Sequence, residues 1–274
     1  MRLNLGKWFG PAADTTFAPG AVGAYVLSST TLESSPTVAS VPHWTLASGD
    51  RTRPWPPPGT VLPDVTGCPH NPRLLALISD SSGSVTAYRG NDAAGRRWDE
   101  QARAVEVWAG KCRCDDQLVA VLHFDDVGAD VGPIPTRPNR QAMAALEPAL
   151  QIPAGAGSSN QGSSADRTLR MGREHPKHEL VAVTFTDGQL FDSNPQAVID
   201  GLAAGSSRLH RVILGGHSHV NFDAGNASYT DLNEQSDPGA AAAAIINTLN
   251  EVGSKPPRKP AKAAKPAKNP KKAS

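Results

Sequence analysis

The stretch Leu74–Val85, LLALISDSSGSV, decides the fold, because it places a buried strand directly before a cluster of oxygen-bearing side chains. Its first six residues are almost continuously apolar, which is typical of a strand buried on both faces of a parallel sheet. Asp80, Ser82 and Ser84 follow at two-residue spacing, so extended backbone can direct their side chains the same way. Gly83 lets the backbone turn closely between the two serines. The stretch therefore predicts a strand whose carboxyl end carries a candidate site.

Three further apolar runs of strand length lie downstream, at residues 118–124, 180–185 and 211–216. Helical patterns fall between them, and strands that alternate with helices predict an open α/β sheet. We expect a mostly parallel, doubly wound, Rossmann-like sheet with helices on both faces. In such sheets functional side chains gather at the carboxyl ends of the strands.

Two of the predicted helices begin with a recognisable start signal. Asn194 reads as an N-cap, with Pro195 at the first helical position. Asp237 and Pro238 repeat this pair of residue types before the alanine-rich segment that follows, so Asp237 is predicted to cap the last helix.

Composition divides the chain into three parts. Residues 1–70 are rich in Pro, Ser, Thr and Gly and predict an irregular N-terminal extension. Residues 71–252 hold the alternating strand and helix patterns and predict one domain. Residues 253–274 form a basic tail of Lys, Pro and Ala, which lacks large apolar residues and is predicted to be disordered.

Charge is unevenly distributed along the 274 residues, although the net charge is only +1. The last twenty residues carry eight Lys or Arg and no acid, so the rest has 19 basic and 26 acidic residues. Any weak polyanion contact is therefore expected from the tail. The chain has no run of 18 apolar residues and no signal-peptide core, which predicts a cytoplasmic protein without membrane contact.

The order of these features resembles the von Willebrand factor type A (VWA) domain with its metal-ion-dependent adhesion site (MIDAS). The pattern is a strand, D-x-S-x-S, a helix, a hydroxyl-bearing Gly loop and a strand ending in T-D-G. Residues 118–134, LVAVLHFDDVGADVGPI, also resemble the family's second strand and short antiparallel edge strand. The resemblance covers residues 71 to 252 and implies the VWA fold. Residues 223–235, DAGNASYTDLNEQ, depart from it, because they show no clear sixth strand.

The resemblance implies a bound Mg²⁺ or Mn²⁺ ion. Carboxylates and hydroxyls are the hard oxygen ligands that Mg²⁺ prefers. Carried over position by position, the implied metal residues are Asp80, Ser82, Ser84, Ser159 and Asp187, with Ser158 as the competitor of Ser159. One coordination position would stay open for an acidic group of a partner protein. The implied function is a protein-interaction module and not an enzyme, because no nucleophile and base stand together near the motif.

Two alternative functions stay open. The segment GHSH, with His217 and His219, resembles the last motif of calcineurin-like metallophosphoesterases, but the D-x-H that such an enzyme needs is absent. The other alternative is a metal-free VWA scaffold whose basic tail binds a polyanion.

A second, separate metal site is a weaker hypothesis. Cys68 and His70 precede the first core strand, and Cys112 and Cys114 precede the second. Four such ligands at the amino end of the sheet could form a tetrahedral zinc site. The spacings are tighter than usual for zinc, so reduced thiols or a disulfide stay open.

Overall fold

The computed structural model of the chain describes residues 54–66, 72–87, 90–92, 96–112, 114–125, 127–153, 157–215, 227–233 and 235–252. Within these residues, the strands are β1 (Arg73–Ser79), β2 (Leu118–His123), β3 (Val131–Pro135), β4 (Glu179–Thr186), β5 (Arg208–Leu214) and β6 (Ala227–Leu232). The helices are α1 (Gly83–Thr86), α2 (Arg96–Lys111), α3 (Asn139–Leu146), α4 (Gly162–Glu174), α5 (Pro195–Gly205) and α6 (Ala240–Glu251), with one 3₁₀ turn at Val127–Ala129.

The strands form one sheet in the order β3-β2-β1-β4-β5-β6. β3 is antiparallel to β2, and all other neighbours are parallel. This arrangement confirms the predicted mostly parallel α/β sheet and its antiparallel edge strand. The last residue of β1, Ser79, lies beside His123 of β2 and Phe185 of β4, so these three strands end together.

The predicted strands coincide with β1, β2 and β4 to within a residue or two. Every residue of β1 is buried, which explains its continuous apolar run. β5 begins at Arg208, three residues before the predicted start. Its early part contains His210 and the buried Arg211. Because these residues are polar, the apolar run marks only the later part of the strand.

Helices cover both faces of the sheet, as predicted. On one face Leu75 and Leu77 of β1 pack in a cluster with Trp98 and Trp108 of α2 and Ile245 of α6. The opposite face packs against α4 and α5, in a cluster that contains Leu74, Ile78, Met171, Ile199 and Leu202. Each fully buried Leu, Ile or Phe side chain stabilises the fold by about 1.5–3 kcal/mol. The two apolar layers therefore fix the positions of the strands and of the residues at their carboxyl ends.

A sixth strand exists, and the expectation that the chain lacks one is wrong. β6 pairs in parallel with β5 through residues 227–232. Its side chains are half-buried and exposed in alternation, so it has no continuous apolar run. Instead, His210 of β5 contacts the hydroxyls of Ser228 and Thr230 at 2.7 and 3.0 Å. These polar contacts hold β6 to the sheet where the apolar signal is weak.

The two predicted helix starts have different outcomes. Asn194 caps α5, since its side-chain oxygen accepts from the Ala197 amide at 3.1 Å. The prediction for Asp237 is wrong, because α6 begins at Ala240 and its N-cap is Gly239, at φ +93°. The acceptor for the start of α6 is the carboxylate of Glu100 in α2, which accepts from Gly239 and Ala242 at 2.9 and 3.1 Å.

Residues 54–66, which we call the strap, lie against α2 and α6. The Trp55 indole donates to Glu100 at 2.8 Å, and Leu62 and Val65 pack against the core. At the other end, Asn250 of α6 accepts from the Thr66 amide at 2.9 Å. The predicted boundary at residue 70 and the predicted tail at 253–274 lie outside the described residues.

Among the helices of the described part of the chain, none is long and apolar enough to span a bilayer.

Candidate metal-binding site at the carboxyl edge of the sheet

Asp80 joins the ends of the two central strands. Its amide donates to the Phe185 carbonyl of β4 at 2.8 Å. One carboxylate oxygen accepts from the Ser82 amide at 2.9 Å, and the other accepts from the Thr186 hydroxyl at 2.9 Å. Asp187 is the next residue after Thr186, so the structure brings both predicted aspartates to the same edge of the sheet.

Ser82 and Ser84 place two hydroxyls next to each other. Their Oγ atoms are 3.1 Å apart, at the start of the short helix α1. Ser82 is buried and Ser84 is exposed, so the pair lies at the boundary between protein and solvent. The intervening turn is fixed by the Thr86 side chain, which donates to the Ser82 carbonyl at 2.9 Å.

The Gly- and Ser-rich loop, which contains Gly157, Ser158 and Ser159, contacts the segments that follow β1 and β4. Gly157 forms a parallel β-bridge with Ser82, and its amide donates to the Ser81 carbonyl at 3.3 Å. A side chain at Gly157 would come within 3.1 Å of the Ser81 hydroxyl, so the close approach favours glycine. The Ser159 carbonyl accepts from the Phe191 amide at 3.1 Å, which ties the loop to the segment after β4.

Ser158 and Ser159 differ in their surroundings. The amide of Ser158 donates to the Asp125 carboxylate at 2.9 Å, and its hydroxyl donates to the same carboxylate oxygen. Ser159 is 1% exposed, and its hydroxyl has no hydrogen-bond partner within the part of the chain that the structure describes. A buried polar group without a partner costs about 1–3 kcal/mol. The geometry therefore favours Ser159 over Ser158 as the hydroxyl that is free to bind a ligand.

Asp187 is buried and oriented by the turn that follows it. One carboxylate oxygen accepts from the Gln189 amide at 3.0 Å. The other accepts from the Asn91 side chain at 3.3 Å. Gly188 has φ +82°, a conformation that few residues other than glycine adopt. Asn91 was not predicted as a site residue, because nothing in the sequence shows that residues 96 positions apart are in contact.

A buried arginine, also missed from the sequence, lies beside the two aspartates. The guanidinium of Arg97 donates to the Asp80 carbonyl, and its Nη1 is 3.3 Å from the Asp92 carboxylate. Burial lowers the pKa of Arg97, while the negative charges of Asp92, Asp80 and Asp187 act in the opposite direction. The guanidinium thus lies within the electrostatic reach of both predicted metal-site carboxylates.

Burial also shifts the acids around this arginine. It raises the pKa of Asp80, against hydrogen bonds from Ser82 and Thr186 and against the charge of Arg97. It raises the pKa of Asp92 to about 6, although Asp92 is near Arg97 and accepts backbone hydrogen bonds at the start of α2. Burial therefore opposes ionisation of both acids even beside Arg97.

The donor set fits a hard divalent cation. Mg²⁺ binds oxygen at about 2.0–2.1 Å in an octahedron, so neighbouring ligand oxygens lie about 3 Å apart. The 3.1 Å between the hydroxyls of Ser82 and Ser84 matches that spacing. The buried Ser159 hydroxyl offers a further oxygen, and the carboxylates of Asp80 and Asp187 supply negative charge.

This donor set differs from a site built from acidic, His or Cys side chains alone. Among the described residues, no group of three or more His, Cys, Asp or Glu side chains could hold a metal.

The residues of the two weaker hypotheses lie mostly outside the described part of the chain. Cys68 and His70 are not described, and neither are His217 and His219. Cys112 is buried, and Cys114 is half-buried. Zinc binding and phosphoesterase activity therefore stay predictions.

No protein-family model matches the chain, and no curated protein matches it either. Several solved structures are similar at low sequence identity. A von Willebrand factor type A protein from Catenulispora acidiphila is 16% identical with a TM-score of 0.48, over 67% of this chain and 43% of that one. The manganese-loaded TRAP protein of Plasmodium vivax is 14% identical with a TM-score of 0.44, over 66% and 74%. BatB from Bacteroides thetaiotaomicron is 14% identical with a TM-score of 0.42, over 65% and 98%.

The chain therefore spans less than half the length of the first of these structures. Its own topology carries the assignment of the fold. A central β1 is followed by D-x-S-x-S, and β2 leads into an antiparallel edge strand. β4 lies next to β1 and ends in Thr186, Asp187 and Gly188. With this strand order and these motif positions, the described domain has the von Willebrand factor type A fold.

Proposed function

We propose that this protein is a divalent-metal-dependent interaction module that captures an acidic group of a partner protein. The proposed ion is Mg²⁺ or Mn²⁺. The residues that would hold it are Asp80, Ser82, Ser84, Ser159 and Asp187. When bound, the ion supplies a positive centre with an open position for a carboxylate.

The observation that carries the proposal is the Ser159 hydroxyl, which is buried and has no partner among the described residues. It lies in a loop that is hydrogen-bonded to the turn after β1 and to the segment after β4, and Asp80 and Asp187 follow these two strands. A hydroxyl in such a place is explained when it binds a ligand that the protein chain does not supply.

The protein's own residues have three roles in this proposal. Thr186 and the Ser82 amide fix the Asp80 carboxylate, and Asn91 and the Gln189 amide fix that of Asp187. Since these carboxylate oxygens already accept hydrogen bonds, we expect the aspartates to act partly through water. The exposed side of the site, at Ser84, is where a partner can approach.

We propose recognition and not catalysis. A serine nucleophile needs an adjacent base that accepts its proton. The Ser159 hydroxyl has no such hydrogen bond within the described residues, and the hydroxyls of Ser82 and Ser84 contact each other. Hydroxyls in this state can bind a cation but are not activated for attack.

Substitution of Asp80 tests the proposed function. Asp80→Ala should abolish capture of partner proteins from the native host in Mg²⁺, and wild type should lose capture in excess EDTA. Asp200→Ala, an exposed acid on α5, is the matched control and should capture normally. Equal capture by wild type in Mg²⁺ and in EDTA would contradict the proposal. Mn²⁺-dependent phosphodiester hydrolysis that is lost in His219→Ala would support the phosphoesterase instead.

A further inference from the structure

We propose that Arg97 is a built-in cation that weakens the metal affinity of the free site, so that metal loading depends on the arrival of an acidic partner. This inference rests on the proposed function. It concerns the regulation of the site and adds a residue that the D-x-S-x-S pattern does not contain.

Arg97 is held firmly beside the site. It lies in the first turn of α2, is 3% exposed and donates to the Asp80 carbonyl. Its guanidinium carbon is 3.7 Å from the ring centre of Trp98, which is fully buried. The Asp92 carboxylate also contacts it, at 3.3 Å from Nη1. These contacts leave the guanidinium little freedom to move away when a metal ion binds.

The neighbouring arginine faces elsewhere and provides a natural comparison. The guanidinium of Arg96 lies 5.1 Å from the ring centre of Trp55, and its Nη1 is 3.4 Å from Asp99. Both arginines are buried and adjacent in sequence. Of the two, Arg97 is the one that contacts a predicted metal residue in the described structure.

The charges explain the proposed effect. Asp80, Asp92 and Asp187 are all buried, and Arg97 interacts with all three. Without metal, Arg97 offsets part of their negative charge. A divalent cation that enters this site is therefore repelled by a fixed positive charge. At an effective dielectric constant of about 20, such repulsion over less than a nanometre reduces a binding constant by about tenfold or more.

The same repulsion favours an anionic partner. The ion and Arg97 together carry three positive charges, which balance the carboxylates of Asp80, Asp92 and Asp187. Without Arg97 the metal-loaded site would be net negative and would repel a partner carboxylate, which binds the ion directly. Binding of the ion and of the acidic group should therefore be mutually favourable, as thermodynamic linkage requires. Arg97 acts here as a positioning and electrostatic residue, and it is not proposed to coordinate the metal.

Calorimetric titration with Mn²⁺ alone tests the inference on the full-length protein. Arg97→Gln should bind Mn²⁺ at least about fivefold more tightly than wild type, because it removes the charge and keeps a hydrogen-bond donor. Arg97→Lys keeps the charge and should restore an affinity within about twofold of wild type. Arg96→Gln removes the adjacent charge, which faces away, and should also stay within about twofold. A merely structural role would not separate Gln from Lys in this way.

A second variant guards against a folding defect. Arg97→Gln leaves Asp92 buried without its ion pair, so Asp92→Asn combined with Arg97→Gln keeps this neighbourhood neutral. The double variant should bind Mn²⁺ at least about fivefold more tightly than Asp92→Asn alone, because the two differ only in the charge of residue 97. Thermal melts would establish that each variant is folded. The inference would be overturned, and the proposed function left intact, if folded Arg97→Gln bound Mn²⁺ no more tightly than a binding wild type and the folded double variant bound it no more tightly than Asp92→Asn. Absence of binding in every variant would overturn both, and binding only in the Gln variants would support both.

Discussion

At the scale of single residues, Ser158 and Ser159 have different surroundings that the sequence pattern does not reveal. The two serines are adjacent and chemically identical, but one is bonded to Asp125 and the other is buried without a partner among the described residues. The sequence could not separate them, since the difference arises from a contact with a residue 33 positions away. The position of Asp80 and Asp187 at the sheet edge was predictable because each directly follows a strand, and Ser82 and Ser84 come in the turn after Asp80.

Substitution of the two serines gives opposite expectations. Ser159→Ala should weaken Mn²⁺ binding by about tenfold or more. It should keep or raise the free energy of unfolding of the metal-free protein, because it removes a buried hydroxyl that has no hydrogen bond to lose within the described structure. Ser158→Ala should keep Mn²⁺ affinity and lose about 1 kcal/mol of stability, through its bond to Asp125. Calorimetry and urea unfolding of both variants measure this. The reverse pattern would assign the ligand to Ser158.

His210 should make the stability of the protein depend on pH. Burial, together with the nearby charge of Arg208, lowers the pKa of His210 to about 4, against about 6.5 in the unfolded chain. Between these values the unfolded chain binds a proton that the folded protein does not. Its contribution to the free energy of unfolding is therefore complete above pH 6.5 and falls by about 3 kcal/mol as the pH drops to 4.

The variant His210→Gln isolates this effect, because Asp92 acts in the opposite direction. With its pKa raised to about 6, folded Asp92 binds a proton between about pH 4 and 6, so its contribution falls as the pH rises. In urea unfolding, wild type should lose stability relative to His210→Gln between pH 7.5 and pH 4.5. A constant difference between the two proteins over this range would show that His210 does not titrate as described.

At the scale of elements, Glu100 determines where α6 begins. Its buried carboxylate accepts hydrogen bonds from Gly239, Ala242 and the Trp55 side chain. Capping from a helix 139 residues away cannot be recognised by local spacing, and this is why Asp237 was predicted as the cap instead. β6 was missed for a related reason, since polar contacts with His210 replace apolar burial there.

Removal of this carboxylate should destabilise the domain. Glu100→Ala leaves three donors without an acceptor, and we expect a loss of about 3 kcal/mol in the free energy of unfolding. Glu106→Ala, on the same helix, removes an exposed ion pair with Arg103 and should change stability by less than about 0.5 kcal/mol. Urea unfolding measures both variants. Equal losses would show that the Glu100 contacts contribute little.

At the scale of the whole molecule, the apolar runs predicted the buried strands of the sheet. The segments that cover the helices are held by long-range contacts, which the sequence does not show. Buried strands could be predicted because an apolar run depends on neighbouring residues alone, whereas their order in the sheet depends on pairing between distant segments. The strap could not, since its residues were grouped with a Pro-rich extension that showed no pattern. Its contacts link residues 54–66 to α6, up to 186 positions away.

Truncation separates the strap from the residues before it. A chain that starts at residue 54 should keep the Trp55–Glu100 bond and the packing of Leu62 and Val65. A chain that starts at residue 67 loses all three, and we expect its free energy of unfolding to be lower by about 3 kcal/mol. Thermal and urea unfolding of both chains measure the difference. Equal free energies of unfolding of the two chains would mean that the contacts of the strap contribute little to stability.

The outer border of the sheet has a consequence for how copies of the molecule meet. β3 contains Pro133 and Pro135, and proline has no N–H to offer an incoming chain. The strand is also short, with five residues, and exposed border strands of this kind resist extension into fibrils. Replacement of both prolines would turn that border into a template for ordered aggregation.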